Sequence, residues 1–325
     1  MQIFTNANYN FIKWRWQAMA LSAVVILAGV VAIATKGLPL GIDFSGGTFV
    51  IVQFEQPVDE QQVRSAVSSI PGDKVVQQYG DPAARQVVVR LPIASVAEDA
   101  SNLENGSDQI EQALRKAGLP KFEIVSRELV GPVIGADLQR RGVYATLASI
   151  LAITIYIAFR FRFSFAVGAI AATFHDILVT IAFLEFFGYD LSLNIVAALL
   201  TITGYSVNDT IVIFDRVREN LRSRRRESLE HVVNQSVNQT LGRTIITAGT
   251  TFLSVLALFL FGGEALRGFA FTMLVGILSG TYSTIFIASS IAIILGSKGA
   301  PAAVSATGPT DAPQAGRKQR RARVS

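Results

Sequence analysis

The chain has 325 residues, of which half are hydrophobic and only 16% charged, with a mean hydropathy of +0.42 and a formal net charge of +5. This balance excludes a pair of ordinary soluble domains and points to a chain for which hydrocarbon is part of the solvent. Cysteine is absent, which excludes a disulfide framework and a thiolate metal site.

A hydrocarbon core about 30 Å thick takes about 20 mostly apolar residues per helix. The first such run spans residues 16–35 and follows Lys13 and Arg15. It contains Ala32-Ile33-Ala34, a pattern like a cleavage site, but its length favours a retained anchor over a signal peptide. Over residues 36–141 the pattern changes to short β-rich runs and amphipathic segments, which predicts a separate domain. Within it, residues 48–55 read as a strand, 59–70 as a helix, and 74–79 with 85–91 as a strand pair across a Gly-Asp-Pro turn. Residues 108–117 read as a helix ending at Gly118, and 122–129 as a last strand. The order βαββαβ predicts a ferredoxin-like α+β domain with two helices on one face of a four-stranded sheet. The segment GIDFSGGT, residues 41–48, resembles a phosphate cradle but lacks a GK[ST] ending and precedes a strand. It reads as a structural turn. VGPVIGADL, residues 130–138, reads as a Gly and Pro hinge returning the chain to the second crossing.

Five further apolar runs follow, at residues 143–159, 164–187, 191–214, 244–263 and 268–296. The expected fold class is therefore a polytopic α-helical membrane protein with six transmembrane helices and one extracytoplasmic ferredoxin-like domain between helices 1 and 2. Its segments are 1–35 (N-terminus and first helix), 36–141 (outer domain), 142–296 (helices 2 to 6) and 297–325 (tail). Lys13, Arg15, Arg160, Arg162 and the cluster Arg216, Arg218, Arg222, Arg224, Arg225 and Arg226 occupy alternate loops, which places both termini in the cytoplasm. The tail ends in RKQRRAR and reads as a disordered, solvated, topogenic segment attractive to anionic lipid.

Ionisable residues inside the apolar runs carry the functional signal, because one at helix centre costs roughly 2.5 to 3.5 kcal/mol even on the lenient insertion scale. Asp209 lies seven residues before Arg216, about 10 Å inside the boundary that Arg216 marks. Thr201, Tyr205, Asn208 and Asp209 share one helix face, expected to look inward. Arg243, Thr247, Thr250, Thr251 and Ser254 form a matching stripe on the fifth helix. If the two helices are neighbours, Asp209, Arg243 and Thr247 meet, and a carboxylate that alternates between an arginine and isolation carries protons. A permanent Asp209 to Arg243 clamp is the bland alternative. His175 and Asp176 form a second polar spot near the middle of the third helix, read as either relay or structural. Glu185 lies near the outer surface, where snorkelling explains it. Zinc is not expected, since His231 is the only other histidine. The sixth helix carries small residues at every fourth position from Gly268 through Gly276 and Gly280 to Gly296, a ladder for close helix packing against more than one neighbour.

GIDFSGGT after the first helix, VGPVIGADL before the second, FHD in the third, GYSVNDTIVIFDRVREN in the fourth and TLGRTIITAGTT in the fifth together resemble the SecD/SecF family. Its members are bacterial protein-export membrane subunits related to resistance-nodulation-division transporters, and the resemblance covers nearly the whole chain. It implies six transmembrane helices with an extracytoplasmic domain after the first, and a SecD partner supplying the other half of a pseudo-symmetric unit. It further implies use of the proton-motive force, without a cofactor, to assist preprotein movement through the SecYEG channel after SecA has acted. Asp209 matches the family's membrane carboxylate, and Arg243 and Thr247 match its partners. Preprotein and membrane lipid are the remaining expected partners, with no nucleic acid. The rivals are a small-molecule exporter subunit of the same superfamily and a purely structural subunit. No nucleophile, metal or cofactor constellation suggests an enzyme.

Overall fold

The computed structural model describes residues 7–38, 40–71, 74–79, 82–91, 100–224 and 226–297. Six of its helices are long and apolar enough to cross a membrane. The first, α1 (Arg15–Lys36), is followed by a four-residue helix α2 (Ile42–Ser45), β1 (Gly47–Phe54), α3 (Glu60–Ala66), β2 (Val75–Tyr79), β3 (Gln86–Leu91), α4 (Ala100–Lys116) and β4 (Phe122–Val130). Then come α5 (Pro132–Arg160), α6 (Phe163–Phe186), α7 (Leu193–Ser223), α8 (Leu229–Phe261) and α9 (Glu264–Ser283). A π-helical turn, Thr284–Ala288, joins α9 to α10 (Ser289–Ser297) in one continuous span.

The four strands form one antiparallel sheet in the order β2-β3-β1-β4. Alternation along the strands turns Val50, Val52, Phe54, Val87, Val89 and Leu91 to one face, where Val63, Ile110 and Leu114 of α3 and α4 close a core. The opposite face carries Arg90, which is 7% exposed and pairs with Asp190 at the turn between α6 and α7. Gly46 and Gly47 both hold positive φ, 68° and 129°, so the Gly-Gly pair is what lets the chain turn from α2 into β1. This turn agrees with a structural reading of GIDFSGGT. The Gly80-Asp81 turn and the tail from 298 onward lie outside the described residues.

Two boundaries differ from the sequence reading for one physical reason. VGPVIGADL is not a hinge: Pro132 opens α5, where a missing N–H costs nothing, and the helix runs unbroken into the apolar segment. Likewise the basic stretch after Asp209 is helical to Ser223, and α8 begins at Leu229, capped by the Ser228 hydroxyl accepting from His231 N at 3.3 Å. Hydropathy reports the bilayer, not the helix. Beyond the bilayer the two helices are held by Asn220 donating to Ser236 at 2.8 Å and Arg216 donating to Gln239 at 2.7 Å. The N-terminal segment is stapled to the same hairpin, because Asn234 and Asn238 hydrogen-bond the backbone of Tyr9 and Phe11.

Helices α6, α7 and α9–α10 form the buried centre of the bundle, and α1, α5 and α8 flank it with mostly uncovered apolar surface. Small residues set the central contacts. Gly268, Gly276 and Gly280 press α9 onto Ile195, Ile202 and Ser206 of α7, after which Ala288 and Ala292 turn to Gly168 of α6. The ladder thus changes partner along its length, at the π-helical turn.

Two outcomes are expected. A Cβ at Gly168 would stand 2.5 Å from the Ala288 carbonyl oxygen, a backbone atom that cannot step aside. Gly168→Ala should therefore cost about 1–3 kcal/mol, read from denaturation in lipid nanodiscs. On β4, burial and next the nearby Asp43 carboxylate push the Glu128 carboxyl above its ordinary value. The folded state then holds this proton more tightly than the unfolded chain, so stability falls as pH rises through the window between the two values. Glu128→Gln should raise the melting temperature above that window and lose its advantage below it.

Candidate functional site

Two carboxylates mark the polar interior, and their surroundings differ. Asp176, on the buried face of α6, is 1% exposed, accepts from three hydroxyls on α7 and α9 and lies against the neighbouring His175 ring. Ser206 Oγ of α7 reaches Oδ2 at 2.5 Å and Ser283 Oγ of α9 reaches the same oxygen at 2.8 Å. Ser279 Oγ reaches Oδ1 at 2.7 Å, and His175 Nδ1 lies 3.0 Å from it. Three hydroxyls and an imidazole nitrogen thus surround the carboxyl group, and hydrogen bonds to a carboxylate are among the strong ones. This knot sits between two apolar clusters, one around Phe165 and Phe214, the other around Ile202 and Ile277. His175 stacks on Tyr282 with ring centroids 6.0 Å apart, and the Tyr282 hydroxyl donates to the Ala18 carbonyl at 2.6 Å, which brings α1 into the network. His175 Nε2 is buried without a partner beside a cavity of about 240 Å³ lined by Leu21, Val25, Val179 and Leu278.

Asp209, on α7, is also buried but only half satisfied. Its Oδ1 accepts from Thr244 Oγ1 of α8 at 2.9 Å, and its Oδ2 has no partner. The predicted meeting with Arg243 and Thr247 is corrected in its details. No ion pair joins Asp209 to Arg243 among the described residues, and Arg243 is exposed. Thr247 bonds to the carbonyls of Arg243 and Thr244 in its own helix. Thr244, one residue and about 100° around the helix from Arg243, faces α7 and holds the carboxylate instead.

The predicted inward face of α7 is divided. Asp209 is buried, Tyr205 packs against the cluster around Ile202, and Thr201 and Asn208 are exposed. On α8, Arg243, Thr247, Thr250 and Ser254 are exposed as well. A polar stripe on α8, with Thr201 and Asn208 on α7 and Asp209 bonded across to Thr244, is therefore left uncovered by the described residues. Glu185 is not a snorkelling residue: it is buried at the end of α6, with Lys36 Nζ 3.9 Å away. The sequence reading does not single out Ser206, Ser279 and Ser283. The signal for them was the need of Asp176 for donors together with the four-residue spacing of Ser279 and Ser283, which alone look like small packing residues. Among the described residues no group of three His, Cys, Asp or Glu side chains is placed to hold a metal.

A six-span bundle with a sheet domain after the first span and acidic groups buried in its centre defines a transporter-like membrane protein. The family model for the C-terminal part of the protein export membrane proteins SecD/SecF matches residues 109–298, and the SecD/SecF GG motif matches residues 31–58. The chain belongs to the SecD/SecF family. Proteins called protein translocase subunit SecF are similar to it over most of its length. The one from Desulfurispirillum indicum is 41% identical over 87% of this chain and 90% of its own length, and that from Vibrio alginolyticus is 42% identical over 88% and 89%. The one from Escherichia coli O157:H7 is 36% identical over 89% and 88%. The crystal structure of SecDF, a translocon-associated membrane protein from a Thermus species, superposes with a TM-score of 0.80 at 33% identity. This chain is covered over 91% of its length but spans only 40% of that longer chain.

The Asp176 knot yields a direct expectation. Removing one donor to a buried charge costs about 1.5–3 kcal/mol, so Ser279→Ala and Ser283→Ala should each destabilise the detergent-solubilised protein by that much. Since both act on one carboxylate, the double variant should depart from the sum of the two, a coupling that a double-mutant cycle measures.

Proposed function

We propose that the chain is the SecF-type subunit of the bacterial Sec preprotein translocase, in the cytoplasmic membrane, and that with a SecD-type partner it couples proton movement to protein export through SecYEG. Both termini face the cytoplasm in this reading, following the basic residues of the loops. The sheet domain is read as ferredoxin-like and extracytoplasmic, in keeping with the strand order β2-β3-β1-β4 and with α3 and α4 sharing one core face. It braces the emerging preprotein.

One observation carries the proton role. Asp209 is a buried carboxylate with one oxygen bonded to Thr244 and the other unpartnered, at the edge of an uncovered polar stripe. A carboxyl so placed has a stable anchor and one oxygen open to a proton. Hydrocarbon does not tolerate the stripe of Arg243, Thr247 and Asn208 against lipid, so a SecD-type half covers it and completes the pathway. Arg243 is then the group that Asp209 alternates with. Proton entry supplies about 2.3 kcal/mol per 100 mV, enough to bias a helix shift. The absence of an Asp209 to Arg243 pair weighs against the permanent clamp, and the single small sheet domain weighs against a drug exporter.

Asp209→Asn tests the reading, because an amide keeps an acceptor for Thr244 and cannot carry a proton. In inverted membrane vesicles containing the whole translocase, this variant should assemble with its partner and export at the rate seen without a proton gradient. Full gradient-dependent export by Asp209→Asn would overturn the proposal, and loss of assembly would return Asp209 to a structural role. A sodium gradient imposed in place of the proton gradient identifies the coupling ion.

A further inference from the structure

The sheet domain is covalently tied to α1 and α5, yet Asp209 sits on α7. Movement at Asp209 must therefore reach the domain through contacts, and the structure concentrates these at the domain-side end of α7. Leu40 and Leu191 form a parallel bridge, and Gly41 N donates to Leu191 O at 2.7 Å. Leu193 N, in the first turn of α7, donates to Asp43 Oδ2 at 2.8 Å, so a residue 150 positions away in sequence caps this helix alongside its own Ser192. A carboxylate there also meets the positive end of the helix dipole. Arg90 of β3 pairs with Asp190 just before α7, its side chain almost wholly buried and its guanidinium set over the Phe49 ring of β1. Space is filled too, since a Cβ at Gly41 would lie 2.9 Å from Leu191 O. On the other side Phe44 and Gly46 rest on Gly135 and Gly142 of α5. Asp209 lies sixteen residues beyond Leu193, about 24 Å along one unbroken helix.

We infer that this junction, Leu40 to Asp43 against Asp190 to Leu193 with Arg90, is a rigid strut that passes movement of α7 to the sheet domain, with Asp43 and Arg90 as its positioning residues. The inference rests on the proton role of Asp209. Asp43 hands the shift to β1 through the Gly46-Gly47 turn, and Asp190 hands it to β3 through Arg90. Because Arg90 is buried, α7 and the sheet cannot slide past one another without stranding a charge, which is the property a strut requires. At the end of α1, Gly37 holds φ 85° and a Cβ there would meet nothing within 4 Å.

The test uses the full chain with its partner in vesicles, comparing export with and without a proton gradient. Arg90→Asp and Asp190→Arg alone should each cut the gradient-dependent part severalfold while leaving gradient-independent export and assembly unchanged, and the two together should restore most of it. Asp43→Ala should lose the gradient-dependent part and Asp43→Asn, which still caps the helix, should keep it. Since the chain has no cysteine, the pair Leu40→Cys with Leu191→Cys is selective. Paired strands lie about 4.8 Å apart, within disulfide reach. The oxidised pair should export normally. A block on oxidation that reductant relieves would overturn the rigid strut, as would full gradient-dependent export by both single charge reversals. Either result counts against the junction alone when Asp209→Asn has lost proton-dependent export in the same vesicles; an active Asp209→Asn would instead remove the reading beneath it.

Discussion

A charge in the middle of a hydrocarbon slab has to bring its own solvent, and in this bundle Asp176 obtains it from the hydroxyls of Ser206, Ser279 and Ser283 and from His175. That demand explains much of the architecture. Hydroxyl donors have short side chains, so three helices must approach to within their reach, and they do so where Gly276, Gly280 and Gly168 remove the bulk that would hold them apart. Apolar clusters then lie on either side of the polar layer. The knot is a specificity device as well as a contact: a one-residue slip of α9 against α6 would leave Asp176 without two of its donors.

Asp209 shows what the same chemistry looks like when it is left unfinished. Asp176 has both oxygens engaged, by hydroxyls from two other helices and by the imidazole of His175. Asp209 has one engaged oxygen and one idle one, and it lies beside the exposed side of α7 and α8 rather than at the centre. Structure and function divide between the two acids on this basis. The first ties three helices together, and in the proposed function the second is the one that takes up and releases the proton.

Much of this was legible in the sequence, and the misses have physical causes. Six spans followed from apolar length, because the bilayer acts on composition alone. The ends of α5, α7 and α8 were not visible, since Asp137, Arg141, Arg216 and Asn220 are polar residues of helix that runs past the apolar segment, and a hydropathy window stops where the lipid does. Strand positions in the sheet domain emerged from alternation, whereas the tie between Asp43 and Leu193, or between Arg90 and Asp190, depends on chain folding over 100 residues or more that local pattern does not encode. The same applies within the site. Spacing identified Asp209 and the stripe beginning at Arg243, but which hydroxyl turns toward the carboxylate depends on the rotation of α8 about its axis, and Thr244 rather than Thr247 holds that position.

The uncovered stripe gives the bundle a direction. Helices α6, α9 and α10 have found their partners within the chain, and α1 and α5 show lipid the aliphatic surface it favours. Helices α7 and α8 expose hydroxyls, an amide and a guanidinium at membrane depth, where helix packing is driven by close fit and hydrogen bonds rather than by exclusion of water. In the proposed function a second bundle docks there and covers the stripe and Asp209 with it, so that assembly and completion of the proton site become one event. A monomer that carried protons alone would short-circuit the membrane; a carboxylate that becomes competent only at a subunit interface avoids that leak, and it gives the helix bearing it two neighbours against which to move.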